Sequence, residues 1–139
     1  MIQDTMRDAE QSAAATLELE ALAALPIWQK RLRLQDWSIR IMVTRMAELG
    51  EDTLGDVKPG RTKRAALIRL LHPADVAGQN FVFDGEAWDW EITLVHELLH
   101  LHFEDCLESN WNDTWRTRQP VERAIDAIAK ALVAGYRGT

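Results

Sequence analysis

Apolar residues recur along the chain with two different periods, and the changes between them mark out its elements. From about Met6 to Leu25 the sequence is rich in Ala, Leu and Glu, all strong helix formers, and Leu17, Ala21, Ala24 and Leu25 fall on one helical stripe. A stripe of this kind is best buried, so the segment reads as a core or docking helix. Pro26 is expected to break or kink it, with a second piece over Ile27 to Leu34. The period then falls to two. Trp37, Ile39, Ile41 and Val43 alternate with Ser38, Arg40, Met42 and Thr44, as in a half-buried strand. Glu51 to Gly60 contains Gly55, Pro59 and Gly60 and has room only for a short strand and turns. Arg64 to Leu71 is compact and apolar, stopped by Pro73, and is compatible with a second main strand or a short helix. Gly78, Asn80 and Gly85 make the next passage turn-rich.

Helical spacing returns over Trp88 to Leu107, which reads as one long helix. Glu108 to Gln119 has the composition of a connection. A last helix is expected from Pro120 to Ala134, ended by Gly135, with Val121, Ala124, Ile125, Ile128 and Leu132 as its apolar face. Helices, a few strands and two more helices make the expected fold class α+β, as one domain over residues 1–139.

Composition narrows the chemistry. The hydrophobic fraction of 47% is that of a chain with a packed core, and the net charge of −6 argues against nucleic acid or anionic membranes as partners. The exception, Lys58, Arg61, Lys63 and Arg64 around Pro59 and Gly60, reads as a solvated turn. No apolar run approaches the ~20 residues of a membrane span. The acidic start does not read as a secretory signal, so a cytoplasmic location is expected. The lone Cys106 excludes an internal disulfide framework and a multi-cysteine metal cluster.

The run Glu91-Ile-Thr-Leu-Val-His96-Glu97-Leu-Leu-His100 contains H-E-x-x-H within predicted helix, the context this motif requires. At about 100° per residue, His100 lies ~40° round the helix from His96, so both imidazoles can share one metal ion. Zinc suits neutral imidazole and, in a catalytic site, keeps a position open for water. Glu97 lies ~100° from His96, placed to take a proton from that water without being a ligand. Paired histidines also occur on helices as caps or packing residues. Here Leu98, Leu99 and Leu101 fill the rest of an amphipathic helix, which favours the metal reading.

A catalytic zinc usually takes a third protein ligand. His102 sits ~200° from His100 and points away. Cys106 stands where metzincins place a third histidine, but Phe103 replaces the glycine that turns the chain there. Glu104 lies near the histidine face, one turn too far along for easy ligation. Glu122 is the remaining candidate, followed by Asp126 on the same face of the last helix.

Over roughly Trp88 to Ala134, H-E-L-L-H followed by E-R-A-I-D resembles the gluzincins, and most of all the compact ImmA/IrrE-type and minigluzincin peptidases. SprT-like peptidases are a weaker match, because they complete the site with a histidine and none follows His102. The resemblance implies a zincin-like fold with a small antiparallel or mixed sheet, an active-site helix and a C-terminal ligand helix. It also implies Glu122 as third zinc ligand, Asp126 as acceptor of the outer N–H of His96, and Glu97 as catalytic base. A protein or peptide substrate would join an exposed sheet edge, for which Arg64 to Leu71 is the candidate, with His72 near the cleft. His72 and Tyr136 are candidates for steadying an oxyanion, although Tyr136 reads more naturally as a packing residue. Trp88, Trp90, Trp111 and Trp115 could line a pocket or anchor the core. The function implied is a zinc endopeptidase of narrow substrate range. The alternative is a non-catalytic, zinc-stabilised protein-binding module, which would have no need of Glu97.

Overall fold

A computed structural model describes residues 1–78, 87–103 and 115–138. Its elements are α1 (Ile2–Arg31), β1 (Ser38–Thr44), α2 (Met46–Leu49), β2 (Gly55–Pro59), β3 (Ala65–Leu71), a 3₁₀ turn (Pro73–Gly78), α3 (Trp90–Phe103) and α4 (Trp115–Arg137). The chain is therefore α+β, with four helices and one three-stranded mixed sheet among the described residues.

Strand order is β1-β3-β2: β3 runs parallel to β1, with Ile41 beside Ile68, and antiparallel to β2, with Val57 beside Ile68. This corrects one expectation. Ala65–Leu71 is the central strand and not an edge; among the described residues, β1 and β2 hold the edges. The apolar run of β3 fits that position, since Ala66, Ile68, Leu70 and Leu71 are buried and a central strand is covered on both sides. Lys58 lies exposed in β2, and the turn after that strand carries Arg61, Lys63 and Arg64 as an exposed connection, with Arg64 paired to Asp36.

Both prolines expected to bound helices lie inside them. Pro26 sits within α1, which is continuous from Ile2 to Arg31. A proline removes the hydrogen bond to the carbonyl four residues earlier. Here both Pro26 and Leu22 lie on the exposed side of α1, where water can satisfy that carbonyl. Pro120 is likewise exposed within α4. Gly135 does not end α4; the chain turns out of the helix at Gly138, whose φ of 75° is the left-handed conformation that glycine adopts at little cost.

One apolar cluster joins every layer. Leu17, Ala21, Leu25 and Trp28 of α1 meet Ile68 and Leu70 of β3, Leu94, Val95 and Leu98 of α3, and Ile125, Ala129 and Val133 of α4. Val121 and Ile125 of the expected face of α4 turn inward, but the rest of that face does not. Ala124, Ile128 and Leu132 are exposed, while Glu122 and Asp126 share the inner side with Ile125, Ala129 and Val133. Strand β2 packs closely on α3. A Cβ at Gly55 would lie 2.8 Å from Thr93 Cγ2 and 2.8 Å from the Arg69 carbonyl oxygen, so only glycine fits there. That close approach sets an edge strand beside the helix one turn before Glu97.

Candidate metal centre

Helix α3 begins at Trp90, two residues later than expected, because Asp89 caps it: its Oδ1 accepts the Glu91 N–H at 3.2 Å. From this start, Leu94, Val95, Leu98, Leu99 and Leu101 are buried, and His96 and His100 emerge together on the side facing α4. Their rings lie 5.1 Å apart, centre to centre. From α4, Glu122 reaches both: its Oε2 is 2.9 Å from His96 Nε2, and its Oε1 is 3.0 Å from His100 Nε2. The three side chains offer one ligand atom each, all within 4.8 Å of one another. Ligand atoms around a tetrahedral zinc at 2.0–2.2 Å are separated by roughly 3.3 Å, close to the 2.9 and 3.0 Å at which Glu122 meets the two imidazoles. The donor set, two imidazole nitrogens and one carboxylate, also suits zinc.

Glu97 stands beside this group without belonging to it. Its Oε1 lies 3.9 Å from both His96 Nε2 and His100 Nε2, beyond hydrogen-bond range. Its Oε2 is buried and makes no hydrogen bond. A buried carboxylate oxygen with no partner is costly, and it is explained here if the oxygen serves a molecule drawn into the site. Burial pushes the Glu97 carboxyl up to about 7, opposed by the two histidines and reinforced by Glu122 and by Asp56 of β2. Glu122 lies well below the ordinary carboxylate range, chiefly because His100 and His96 hydrogen-bond to it. Burial lowers the His96 imidazole, but the Glu122 hydrogen bond and the charges of Glu97, Glu122 and Asp126 outweigh it and raise it overall.

Asp126 is next to the site but does not hydrogen-bond to His96. Its Oδ1 lies 3.6 Å from His96 Nδ1, while its Oδ2 takes a bond from Lys130 Nζ at 2.8 Å. His102 points away, as the helical wheel requires, and donates from Nε2 to the Leu32 carbonyl. His72 is buried at the end of β3, where its backbone N–H bonds to Thr44 and its Nδ1 accepts the Ala74 N–H. Tyr136 packs edge-on against Trp28, 5.3 Å between ring centres, with the Arg31 guanidinium over its face. Neither residue is given an oxyanion role by these contacts. Trp88 donates to Thr93 Oγ1 and, with Trp90, packs on the core. Glu104, Cys106 and Trp111 lie outside the described residues.

One cluster escaped the sequence reading. Glu91, buried in the first turn of α3, accepts the Trp28 indole N–H at 2.9 Å and the Arg137 guanidinium at 2.6 Å, and Arg137 also pairs with Asp89. These bonds tie α1, α3 and the end of α4 together. The signal was available: Glu91 falls on the same helical face as Leu94, Val95 and Leu98, so its carboxylate had to be buried with a partner. A second missed pair, Arg69 and Asp56, joins β3 to β2 through two hydrogen bonds, and the charge of Asp56 helps to raise Glu97.

Among the described residues no helix is long and apolar enough to cross a membrane. The chain matches no protein-family model, no curated protein and no solved structure.

Proposed function

We propose that the chain is a zinc-dependent endopeptidase with a zincin-like fold, holding its metal on His96, His100 and Glu122. The observation that carries the reading is the meeting of those three ligands beside Glu97, a buried carboxylate with an unpartnered oxygen. Zinc bound there would supply a Lewis acid, polarising a peptide carbonyl and acidifying a water molecule. Glu97 takes the proton of the attacking water on Oε2 and passes it to the leaving amine. A base titrating near 7 is matched to proton transfer at neutral pH, and a cation beside it would lower that value further. Glu122 contributes charge as well as a ligand, and Asp126 steers His96 from its outer side, by a water or a small approach. The substrate extends the sheet at β2, the edge that Gly55 sets against α3, with its main chain hydrogen-bonded along Gly55–Pro59. The substrate is a protein or peptide, and the compartment is the cytoplasm.

The purified chain is expected to hold one zinc, lost in His96→Ala and in His100→Ala. Glu97→Gln is expected to keep zinc and lose cleavage by a factor of about 10²–10⁴. Zinc retained in full by either histidine variant removes the site. Undiminished cleavage by Glu97→Gln removes the base and leaves a zinc-stabilised binding module.

A further inference from the structure

Side chains alternate across the three strands, and one face of the sheet enters the core through Ile39, Ile41, Val43, Ala66, Ile68 and Leu70. On the other face Arg40 and Lys58 stand in one row, on either side of Leu67. Both cations are exposed, and Arg61, Lys63 and Arg64 follow in the exposed turn after β2. From Val57 to Ala74 the chain holds no acid, although its net charge is −6. Arg64 pairs with Asp36 and Arg69 with Asp56. Among the described residues, Arg40, Lys58, Arg61 and Lys63 pair with no acid. Four unmatched cations therefore gather at one end of the sheet of an acidic chain.

The edge of β2 runs into the same end. The Leu71 N–H bonds to the Leu54 carbonyl and the Gly60 N–H to the Ala65 carbonyl, so alternate residues of β2 turn their main chain to β3. The residues between, Gly55, Val57 and Pro59, turn theirs outward. Gly55 and Val57 can donate to an incoming strand, whereas Pro59 has no N–H to give. Backbone pairing thus weakens at Pro59, where the cations begin. We propose that Arg40, Lys58, Arg61 and Lys63 hold an acidic stretch of the protein substrate as it passes the Pro59 end of β2. This rests on the endopeptidase reading and adds to it a substrate class. Antiparallel pairing, the more stable arrangement, puts the acidic stretch N-terminal to the residues laid along β2. Charge then selects which segment enters and in which direction. Nucleic acid is the poorer fit, because none of the three strands carries an aromatic residue on which a base could stack.

Fluorescence anisotropy with the full chain carrying Glu97→Gln tests it without cleavage. The probe is a labelled peptide of alternating Thr and Val preceded by a run of Glu. Its controls carry Gln in place of Glu, or the Glu run at the C-terminal end. The Glu-led peptide should bind about tenfold more tightly than the Gln-led one, by a margin that shrinks at high salt. Arg61→Glu with Lys63→Glu should abolish the margin and favour a Lys-led peptide, with unchanged circular dichroism, because both side chains are exposed. Equal binding of the Glu-led and Gln-led peptides overturns the proposal, as does no binding of either. A C-terminal Glu run that binds as tightly overturns it as well. A single-stranded oligodeoxynucleotide bound more tightly than the Glu-led peptide, and released by the same variant, overturns it in favour of nucleic acid. Because the readout is binding, its failure leaves the zinc site and its base standing, and a failure of cleavage leaves the charge preference measurable.

Discussion

Helix α3 buries two glutamates, one at each end of its contact with α4, and surrounds them differently. Glu91 has both oxygens occupied, Oε2 by the Trp28 indole and Oε1 by Arg137. Its charge is matched and the cluster is closed. Glu97 is as deeply buried, yet Oε2 has no hydrogen bond and Oε1 stands 3.9 Å from two imidazoles that turn toward Glu122 instead. Partner for partner, the first cluster is complete, and the second has an acceptor left over. Burial without a partner costs stability, so its retention beside three convergent ligands points to work done on something that enters. The difference separates a polar cluster that holds helices together from one that, in the function proposed, acts on a substrate.

The largest effect is expected at Glu97, in the dependence of stability on pH. In the metal-free protein the Glu97 carboxyl is raised from an ordinary 4.5 to about 7. A group raised on folding favours the fold below its unfolded pKa, and that contribution is lost as pH rises through about 7. Glu97→Gln should therefore stabilise the metal-free protein at pH 8, by up to about 3 kcal/mol, and change little at pH 4. Denaturant titrations at the two pH values check this; a destabilised Glu97→Gln at pH 8 would mean that the carboxylate has a partner after all.

Removing Arg137 should act in the opposite sense. It leaves Glu91 with a buried, half-satisfied charge, and a loss of about 2 kcal/mol is expected. Zinc stoichiometry should stay unchanged, because none of the ligands touches this cluster. A variant that loses zinc while remaining folded would show that the two ends of the α3–α4 contact are not separable.

Asp126 offers a smaller effect and a sharper comparison. It lies 3.6 Å from His96 Nδ1 while bonded to Lys130. Asp126→Asn should weaken zinc by the ~10–100-fold typical of groups that orient a ligand. Lys130→Ala should not weaken it, and by freeing Asp126 toward His96 should strengthen it slightly. His102→Ala should leave affinity unchanged, since that side chain faces away and binds Leu32.

Much of this arrangement was legible in the residues. The i, i+4 spacing of His96 and His100 fixes their shared side whatever the rest of the fold does, and Glu122 and Asp126 follow the same rule on α4. What periodicity does not contain is the choice among several apolar faces. Val121 and Ile125 of the expected stripe are turned in, but Ala124, Ile128 and Leu132 are not, and Ala129 and Val133 take their place beside the two acids. Strand order is similarly silent in the sequence. The run Ala65–Leu71 precedes α3, yet β1 and β2 enclose it, and Gly55 is what brings the edge to the site. Pro26 misled because the carbonyl it frees, that of Leu22, lies on the exposed side of α1, where water can satisfy it, and Pro120 sits within α4 instead of at its start.

The central claim is that Glu122 completes a metal site with His96 and His100, and competition titration of zinc against a chelator tests it most directly. Glu122→Ala is expected to weaken zinc by more than the ~10–100-fold of an orienting residue such as Asp126, with Glu104→Ala and Cys106→Ala near the wild-type affinity. Unchanged affinity in Glu122→Ala, or release of zinc on replacing Cys106 or Glu104, would contradict it.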